Sequence, residues 1–152
     1  MPAYYFDTSA LIKRYIDEKG SAWARTTIAN AGQYRYIAQI TGVEMVSAIT
    51  RLAAGKNITD PTRVASLSAF KRDFAQGYIV VSVNTPVIQS AMTLAERHVI
   101  RGYDAVQLAS ALWVRDRVNK LQLDFIFVGA DDKLNKAAVA EGLAVENPND
   151  HA

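Results

Sequence analysis

The sequence contains no cysteine among its 152 residues. Disulfide bonds, thiolate zinc sites and cysteine nucleophiles are therefore excluded. Histidine is almost as scarce, because the chain has two, His98 and His151. We interpret His98 as a surface or structural residue, and His151 falls in the polar end segment ENPNDHA. A catalytic pair of histidines is therefore a poor explanation for any chemistry in this chain.

The chain also lacks a long hydrophobic run. No apolar stretch approaches the roughly 20 residues needed to cross a bilayer, and the opening MPAYYFDTSALI lacks the basic start and apolar core of a secretion signal. We therefore expect a cytoplasmic protein with no membrane contact. Its length favours one domain, over residues 1–146, followed by a flexible tail over residues 147–152. The net charge of +2 favours an anionic partner only weakly.

Short apolar segments alternate with helix patterns along the chain. Buried strands are predicted over residues 4–6, 34–38, 78–83, 124–129 and 143–145. Helix patterns lie between them, over residues 9–15, 21–30, 41–54, 60–76, 85–100, 103–121 and 131–141. This alternation predicts an α/β fold with three layers, α/β/α, around a central, mostly parallel sheet of four or five strands.

Four acidic residues stand in unusual surroundings. Most of the fifteen acids need no special explanation, and several adjoin a basic residue, whereas four lie among apolar or small residues: Asp7 in YFDTS, Glu44 in GVEMV, Asp104 in GYDAV and Asp131 in VGADD. Asp7 and Asp131 follow strands directly, and Glu44 opens the helix after the second strand. Because ligands bind at the carboxyl edge of parallel sheets, we expect these three to share that edge. The same neighbourhood for Asp104 is a hypothesis from the pattern alone.

Each of these acids also has a structural explanation. Asp7 and Asp131 suit helix N-caps, and Asp104 suits the first turn of a helix. Glu44 fits a capping box, TGVE, with Thr41 as the cap. One shared site nevertheless explains all four acids more simply than four unrelated caps.

A shared site would need a cation. Two unit charges ~4 Å apart repel by roughly 4 kcal/mol at an effective dielectric constant of about 20. Repulsion among four converging carboxylates would therefore cancel much of a free energy of unfolding of about 5–15 kcal/mol unless protons or a metal ion neutralised them. Carboxylate oxygens suit Mg²⁺ or Mn²⁺, and these ions commonly act with substrate phosphates. The acids thus point to phosphate-ester chemistry.

Four motifs together resemble the PIN-domain ribonucleases, most of all the VapC toxins of bacterial and archaeal toxin–antitoxin pairs. FDTSALIKRY, TGVEMVSAI, GYDAVQLASAL and FVGADDKLNKAA..EGL occur in the family's order and rough spacing, from residue 4 to residue 145. The resemblance implies a PIN-like fold and an acidic tetrad that holds Mg²⁺ or Mn²⁺ and hydrolyses RNA to a 3′-hydroxyl and a 5′-phosphate. The catalytic and metal-binding residues would be Asp7, Glu44, Asp104 and Asp131.

The chain departs from the family pattern near its last acid. The family usually has Ser or Thr two positions before that acid, where this chain has Gly129, and Asp132 follows Asp131 as a possible substitute ligand. The hydroxyl that accompanies the first acid would belong to Thr8 or Ser9.

The resemblance also implies partners. We expect an RNA substrate, a homodimer and a cognate small antitoxin that covers the active site, commonly with a basic side chain among the acids. Thr8, Ser9, Lys13 and Arg14 are candidates for RNA contact, although ordinary exposed cations explain Lys13 and Arg14 equally well. Arg97 and Arg101 are the next candidates.

Two other interpretations remain open at this point. A phosphotransfer domain also places aspartates at a carboxyl edge, but a phosphatase of that kind needs an acid at Ser9, and a receiver domain needs one at Asn84. A non-catalytic PIN-fold binding module would use the acidic pocket only to hold a basic partner peptide.

Overall fold

Five parallel strands form one central sheet in a computed structural model that describes residues 1–152. The strand order is β3-β2-β1-β4-β5, and every neighbouring pair is parallel. The strands are β1 (Ala3–Phe6), β2 (Arg35–Ala38), β3 (Ile79–Val81), β4 (Phe125–Val128) and β5 (Ala144–Glu146). This sheet confirms the predicted fold class.

Seven helices connect and cover the strands. They are α1 (Thr8–Tyr15), α2 (Ser21–Asn30), α3 (Gln39–Ala54), α4 (Asp60–Gln76), α5 (Thr85–His98), α6 (Gly102–Lys120) and α7 (Asp132–Ala140). None of them is both long and apolar enough to span a membrane.

Side chains that alternate along the strands build two separate cores. Tyr5 and Phe127 point to one face, where their rings stack 5.8 Å apart among apolar residues of α5, α6 and α7. Tyr4 and Phe6 point to the other face, where their rings stack 5.9 Å apart among residues of α1, α3 and α4. Both faces are therefore buried, as continuous apolar strands in parallel sheets predict. The result is the expected three-layer arrangement.

The β1–β4 register determines what meets at the carboxyl edge. Phe6 pairs with Val128, so the segments that follow β1 and β4 leave the sheet side by side, at Asp7 and Gly129. The amide of Asp7 still donates to the carbonyl of Val128 at 3.1 Å. Residues that follow these central strands are thereby brought together at one end of the sheet.

The capping-box explanation for Glu44 is wrong. Helix α3 begins at Gln39, two residues earlier than predicted, with Ala38 as its N-cap. Thr41 is therefore already inside the helix, fully buried, and its hydroxyl accepts a hydrogen bond from the Gln107 side chain at 2.9 Å. Glu44 consequently lies one turn into α3 with its carboxylate free for tertiary contacts.

The end segment contacts the domain. Pro148–His151 form a short 3₁₀ helix, Pro148 is buried, and the His151 ring stacks on Trp23 with 4.5 Å between ring centroids. Gly20, with φ +84°, lies so close that a Cβ there would come 2.6 Å from the Pro148 carbonyl oxygen. The flexibility predicted for residues 147–152 stays a prediction, but these residues have defined contacts with α2.

Candidate active site

Asp7 is a buried acid at the carboxyl end of the central strand. It is 3% exposed and caps α1, because its Oδ1 accepts from the Ser9 hydroxyl at 2.7 Å and from the Ala10 amide at 3.2 Å. Burial, together with the nearby charges of Asp104 and Glu44, raises the pKa of Asp7 to about 7, although the two hydrogen bonds oppose the rise. Asp7 is thus both a helix cap and a member of an acidic group.

Glu44 joins three helices through one carboxylate oxygen. Its Oε1 accepts from the Thr8 hydroxyl at 3.0 Å and from the Gln107 amide at 2.6 Å, which ties α3 to α1 and α6. Burial raises the pKa of Glu44, and the charge of Asp104 contributes, whereas the two hydrogen bonds and Arg101 oppose the rise. The carboxylates of Asp7, Glu44 and Asp104 are therefore close enough for electrostatic repulsion between them.

Arg101 connects the other two acids. Asp104 lies in the first turn of α6 and accepts from Arg101 Nε at 3.1 Å. Asp131 caps α7 through the Leu134 amide, and its Oδ2 lies 3.8 Å from Arg101 Nη2. The Arg101 side chain is 79% exposed, so it reaches over these acids from the solvent side.

Asp132 lies apart from this group. Its side chain is exposed and its Oδ1 accepts from the Asn147 side-chain amide at 3.4 Å. The structure therefore places Asp131, and not Asp132, beside Arg101 and Asp104.

Two of the four acids, Glu44 and Asp104, line an open cleft of about 550 Å³, whereas Asp7 and Asp131 do not line it. The acidic part of the cleft is lined by Glu44, Asp104 and the hydroxyl-bearing Thr8. The rest of it is lined by Arg51, Arg101 and Tyr103. Arg51 makes no ion pair or side-chain hydrogen bond, and Tyr103 is 63% exposed. The sequence analysis missed Arg51 and Tyr103. Arg51 follows Glu44 by seven residues, which places both on one face of α3 and was a usable signal.

Three predicted cations lie outside the cleft. Lys13 is buried, and its ammonium donates to Glu18 at 2.9 Å and to the Lys19 carbonyl at 2.7 Å. Arg14 donates to the Tyr78 hydroxyl at 3.2 Å and pairs with Asp73. Lys13 and Arg14 thus make internal structural contacts away from the cleft, and their contact with RNA stays a prediction.

Arg97 is likewise engaged elsewhere. It pairs with Glu141 at 2.8 Å, and His98 contacts the same carboxylate at 2.7 Å. Of the four candidate cations, Arg101 alone lines the cleft.

The departure at Gly129 has a steric reason. A Cβ there would lie 2.5 Å from Asn135 Oδ1 and 2.9 Å from the Phe127 ring, so the position has no room for Ser or Thr. Ser9 provides a hydroxyl from the other strand end, because it accepts from the Ala130 amide at 2.8 Å and donates to Asp7. Ser9 thus places a hydroxyl between Asp7 and the segment that follows β4.

The acids suit a divalent cation by their chemistry but are arranged around Arg101. Their donors are oxygen atoms, the type that Mg²⁺ and Mn²⁺ prefer. Asn135 Oδ1 is a further buried oxygen without a partner, and it lies near Asp7 across Gly129. No group of three or more His, Cys, Asp or Glu side chains converges closely enough to hold a metal ion in this arrangement. A cation at these acids would therefore require their side chains to rearrange and Arg101 to leave Asp104.

Comparison with known proteins places this geometry in a family. The sequence model of the PIN domain matches residues 4–140. Ribonuclease VapC45 of Mycobacterium tuberculosis is 33% identical over 116 residues, which cover 76% of this chain and 79% of that protein.

Two solved structures share the fold. PAE2754 from Pyrobaculum aerophilum aligns with a TM-score of 0.64 and 18% identity, over 95% of this chain and 89% of that one. A toxin-antitoxin complex from Klebsiella pneumoniae aligns with a TM-score of 0.62 and 17% identity, over 96% of this chain and 98% of that one. The chain therefore belongs to the PIN domain family and is a VapC-type member of it.

Proposed function

We propose that this protein is a divalent-metal-dependent endoribonuclease and the toxin of a type II toxin–antitoxin pair, acting in the cytoplasm. One observation carries the proposal: a buried aspartate, Asp7, lies beside Glu44 and Asp104 beneath an open cleft that also contains two arginines. The matching Mycobacterium tuberculosis relative is named a ribonuclease.

The acids have distinct tasks in the proposed reaction. Asp7, Glu44 and Asp104 would hold Mg²⁺ or Mn²⁺, and Asp131 would be the fourth ligand. When bound, the ion supplies an activated water and stabilises the negative charge that develops on the phosphate. Asp7 carries a proton up to about pH 7 in the metal-free protein, so cation binding would be coupled to loss of that proton. No side chain has to act as a nucleophile, and the products would carry a 3′-hydroxyl and a 5′-phosphate.

The cleft provides the groups that bind RNA. Arg51 has no protein partner and is free to contact a backbone phosphate. Arg101 is exposed and would do the same once it leaves Asp104 and Asp131. Tyr103 neighbours Asp104 and offers an exposed ring on which an unpaired base stacks. These features favour single-stranded RNA, in which bases beside the scissile phosphate are free to turn onto the ring.

The antitoxin would act at the same cleft. Arg101 demonstrates that a guanidinium suits the space between Asp104 and Asp131, where it lies 3.1 Å and 3.8 Å from their oxygens. We infer that a basic antitoxin side chain would contact these acids in the same way and exclude the cation. The fold relative from Klebsiella pneumoniae is titled a toxin-antitoxin complex. A homodimer is part of the same proposal.

The alternative of a binding module that lacks catalysis has support in the same contacts. Arg101 already forms ion pairs with two of the acids, so the pocket suits a basic peptide without any metal ion. Turnover separates the two functions, because a binding module cleaves no RNA in any metal.

The experiment is cleavage of total RNA by antitoxin-free protein with Mg²⁺, with Mn²⁺ and with EDTA. We expect the wild type to cleave only with metal and Asp7→Asn to be inactive. Asp73→Asn is the matched control, because Asp73 is also a largely buried acid but pairs with Arg14 away from the cleft. Intact RNA in every lane of folded wild-type protein would contradict the enzyme and favour the binding module.

A further inference from the structure

Gln107 lies at the centre of a buried hydrogen-bond network beneath the cleft. It is 2% exposed and follows Asp104 by three residues on α6. Its Nε2 donates to Glu44 Oε1 at 2.6 Å and to the Thr41 hydroxyl at 2.9 Å, and it lies 3.3 Å from the Thr8 hydroxyl. The amide thus meets residues of both α1 and α3.

Tyr5 and Glu44 hold opposite ends of the amide. The Tyr5 hydroxyl donates to Gln107 Oε1 at 2.6 Å from the middle of β1. Rotating the amide by half a turn would place the carbonyl oxygen against Glu44, where two acceptors would repel each other. Glu44 therefore selects the orientation of the amide, and Tyr5 fixes its position from the sheet.

This network engages one oxygen of Glu44 and leaves the other free. Thr8 and Gln107 both donate to Oε1, while Oε2 has no hydrogen bond within the protein. Glu44 lines the cleft with Asp104, so Oε2 is the oxygen that remains for a ligand there. The buried amide accordingly fixes the orientation of the carboxylate with respect to the cleft.

We propose that Gln107 is a positioning residue that holds the Glu44 carboxylate in the orientation needed to bind a divalent cation. This inference rests on the proposed function, because it assigns Glu44 as a ligand. Gln107 itself does not touch substrate or ion, since it is buried beneath Glu44 and Thr8. Hydrogen-bond partners of metal ligands typically contribute about 10–100-fold to metal affinity or activity.

Two substitutions separate positioning from packing. Gln107→Met keeps the length of the side chain and removes every hydrogen bond. Gln107→Glu keeps the shape and an acceptor for Tyr5 but has no N–H to donate to Glu44. Leu108→Met is the matched control, because Leu108 is the next residue on α6, fully buried in the apolar core and outside the network.

The measurement is the affinity for Mn²⁺ by calorimetry, together with kcat and KM for a short single-stranded RNA. We expect both Gln107 variants to lose about 10–100-fold in Mn²⁺ affinity and to lower kcat, with KM for RNA little changed. Leu108→Met should keep wild-type values. Circular dichroism and thermal melting verify that each variant is folded.

A variant that fails to fold is replaced by Tyr5→Phe. This substitution removes only the hydrogen bond that fixes the position of the amide and is paired with Tyr15→Phe, which removes a hydroxyl bonded to Asp73 and Tyr78. We expect Tyr5→Phe to weaken Mn²⁺ binding and Tyr15→Phe to leave it unchanged.

The outcomes are distinguishable. A wild type that binds no Mn²⁺ and cleaves no RNA contradicts the proposed function, and the role of Gln107 with it. A wild type that binds and cleaves, with Gln107→Met and Gln107→Glu within about twofold of it, overturns the role of Gln107 alone. Equal losses in Leu108→Met would assign the effect to core packing and overturn the role as well.

Discussion

Replacing Asp7 by asparagine should change how the stability of the metal-free protein depends on pH. In the folded protein, burial raises the pKa of Asp7 from 3.8 to about 7, with contributions from the charges of Asp104 and Glu44. The folded state thus keeps a proton that the unfolded chain releases at lower pH. The contribution of Asp7 to stability is fully present below the unfolded value of 3.8 and is lost as the pH rises through about 7.

The size of this effect follows from the two pKa values. Their difference, from 3.8 to about 7, is about 3 units, and at about 1.4 kcal/mol per unit it corresponds to about 4 kcal/mol. Asparagine carries no ionisable group, so Asp7→Asn should escape this loss, and its Oδ1 still caps α1. Its amide N–H groups add a desolvation cost of about 1–3 kcal/mol, which does not depend on pH.

The change in stability between pH 5 and pH 8 removes that constant cost from the comparison. Over this range the wild type should lose about 2–3 kcal/mol more than Asp7→Asn. Urea unfolding in EDTA at several pH values measures the difference, with Asp73→Asn as the control. Parallel pH profiles for the wild type and Asp7→Asn would refute the reasoning, because they would mean that Asp7 is not a buried acid with a raised pKa.

Two further substitutions test the site's architecture. Gly129→Ser should destabilise the protein by about 1–3 kcal/mol in urea unfolding, because a Cβ there meets Asn135 Oδ1 at 2.5 Å. Gly102→Ser is its control, because a Cβ at residue 102 meets nothing within 4 Å. Equal stabilities of the two variants would contradict the steric argument. Tyr103→Ala in an Asp7→Asn background should weaken binding of single-stranded RNA by about 1–3 kcal/mol in fluorescence anisotropy, whereas Leu121→Ala, at the other end of α6, should not. Unchanged RNA affinity would remove Tyr103 from the interface.

Much of the fold follows from local patterns in the sequence. The strands of a parallel sheet are buried on both faces, so they stand out as short apolar runs, and all five were predicted within a few residues. The ends of the helices were harder to predict from the sequence. Helix α5 was expected to reach residue 100 but ends at His98, because Val99 adopts a left-handed conformation with φ 53°. A glycine is the usual sequence signal for such a conformation, and this position has none.

The acidic members of the site were recognisable because each is out of place in its local context. Asp7 and Asp131 cap helices, and Asp104 lies in a first turn, so those structural explanations hold alongside the shared neighbourhood. The proximity of Asp104 to the others depends on how α6 packs across the sheet, which the chain order does not specify.

The polar surroundings of the acids were harder to predict. Gln107 looks unremarkable in an apolar helix, and its importance depends on tertiary contacts with Tyr5, Thr41 and Glu44. Lys13 was taken for a surface cation, yet it follows the buried Ala10 by three residues and lies on the inner face of α1. Helical spacing thus indicated that Lys13 is buried, but it did not indicate the tertiary contacts of Gln107.

The central claim is that the acids at the carboxyl edge form one divalent-cation site. The most direct test is the anomalous difference map of a crystal soaked in Mn²⁺. We expect a peak between Asp7, Glu44 and Asp104, with the Arg101 side chain moved away from Asp104. A map without a peak at these acids, with Arg101 still paired to Asp104 at saturating Mn²⁺, would contradict this claim.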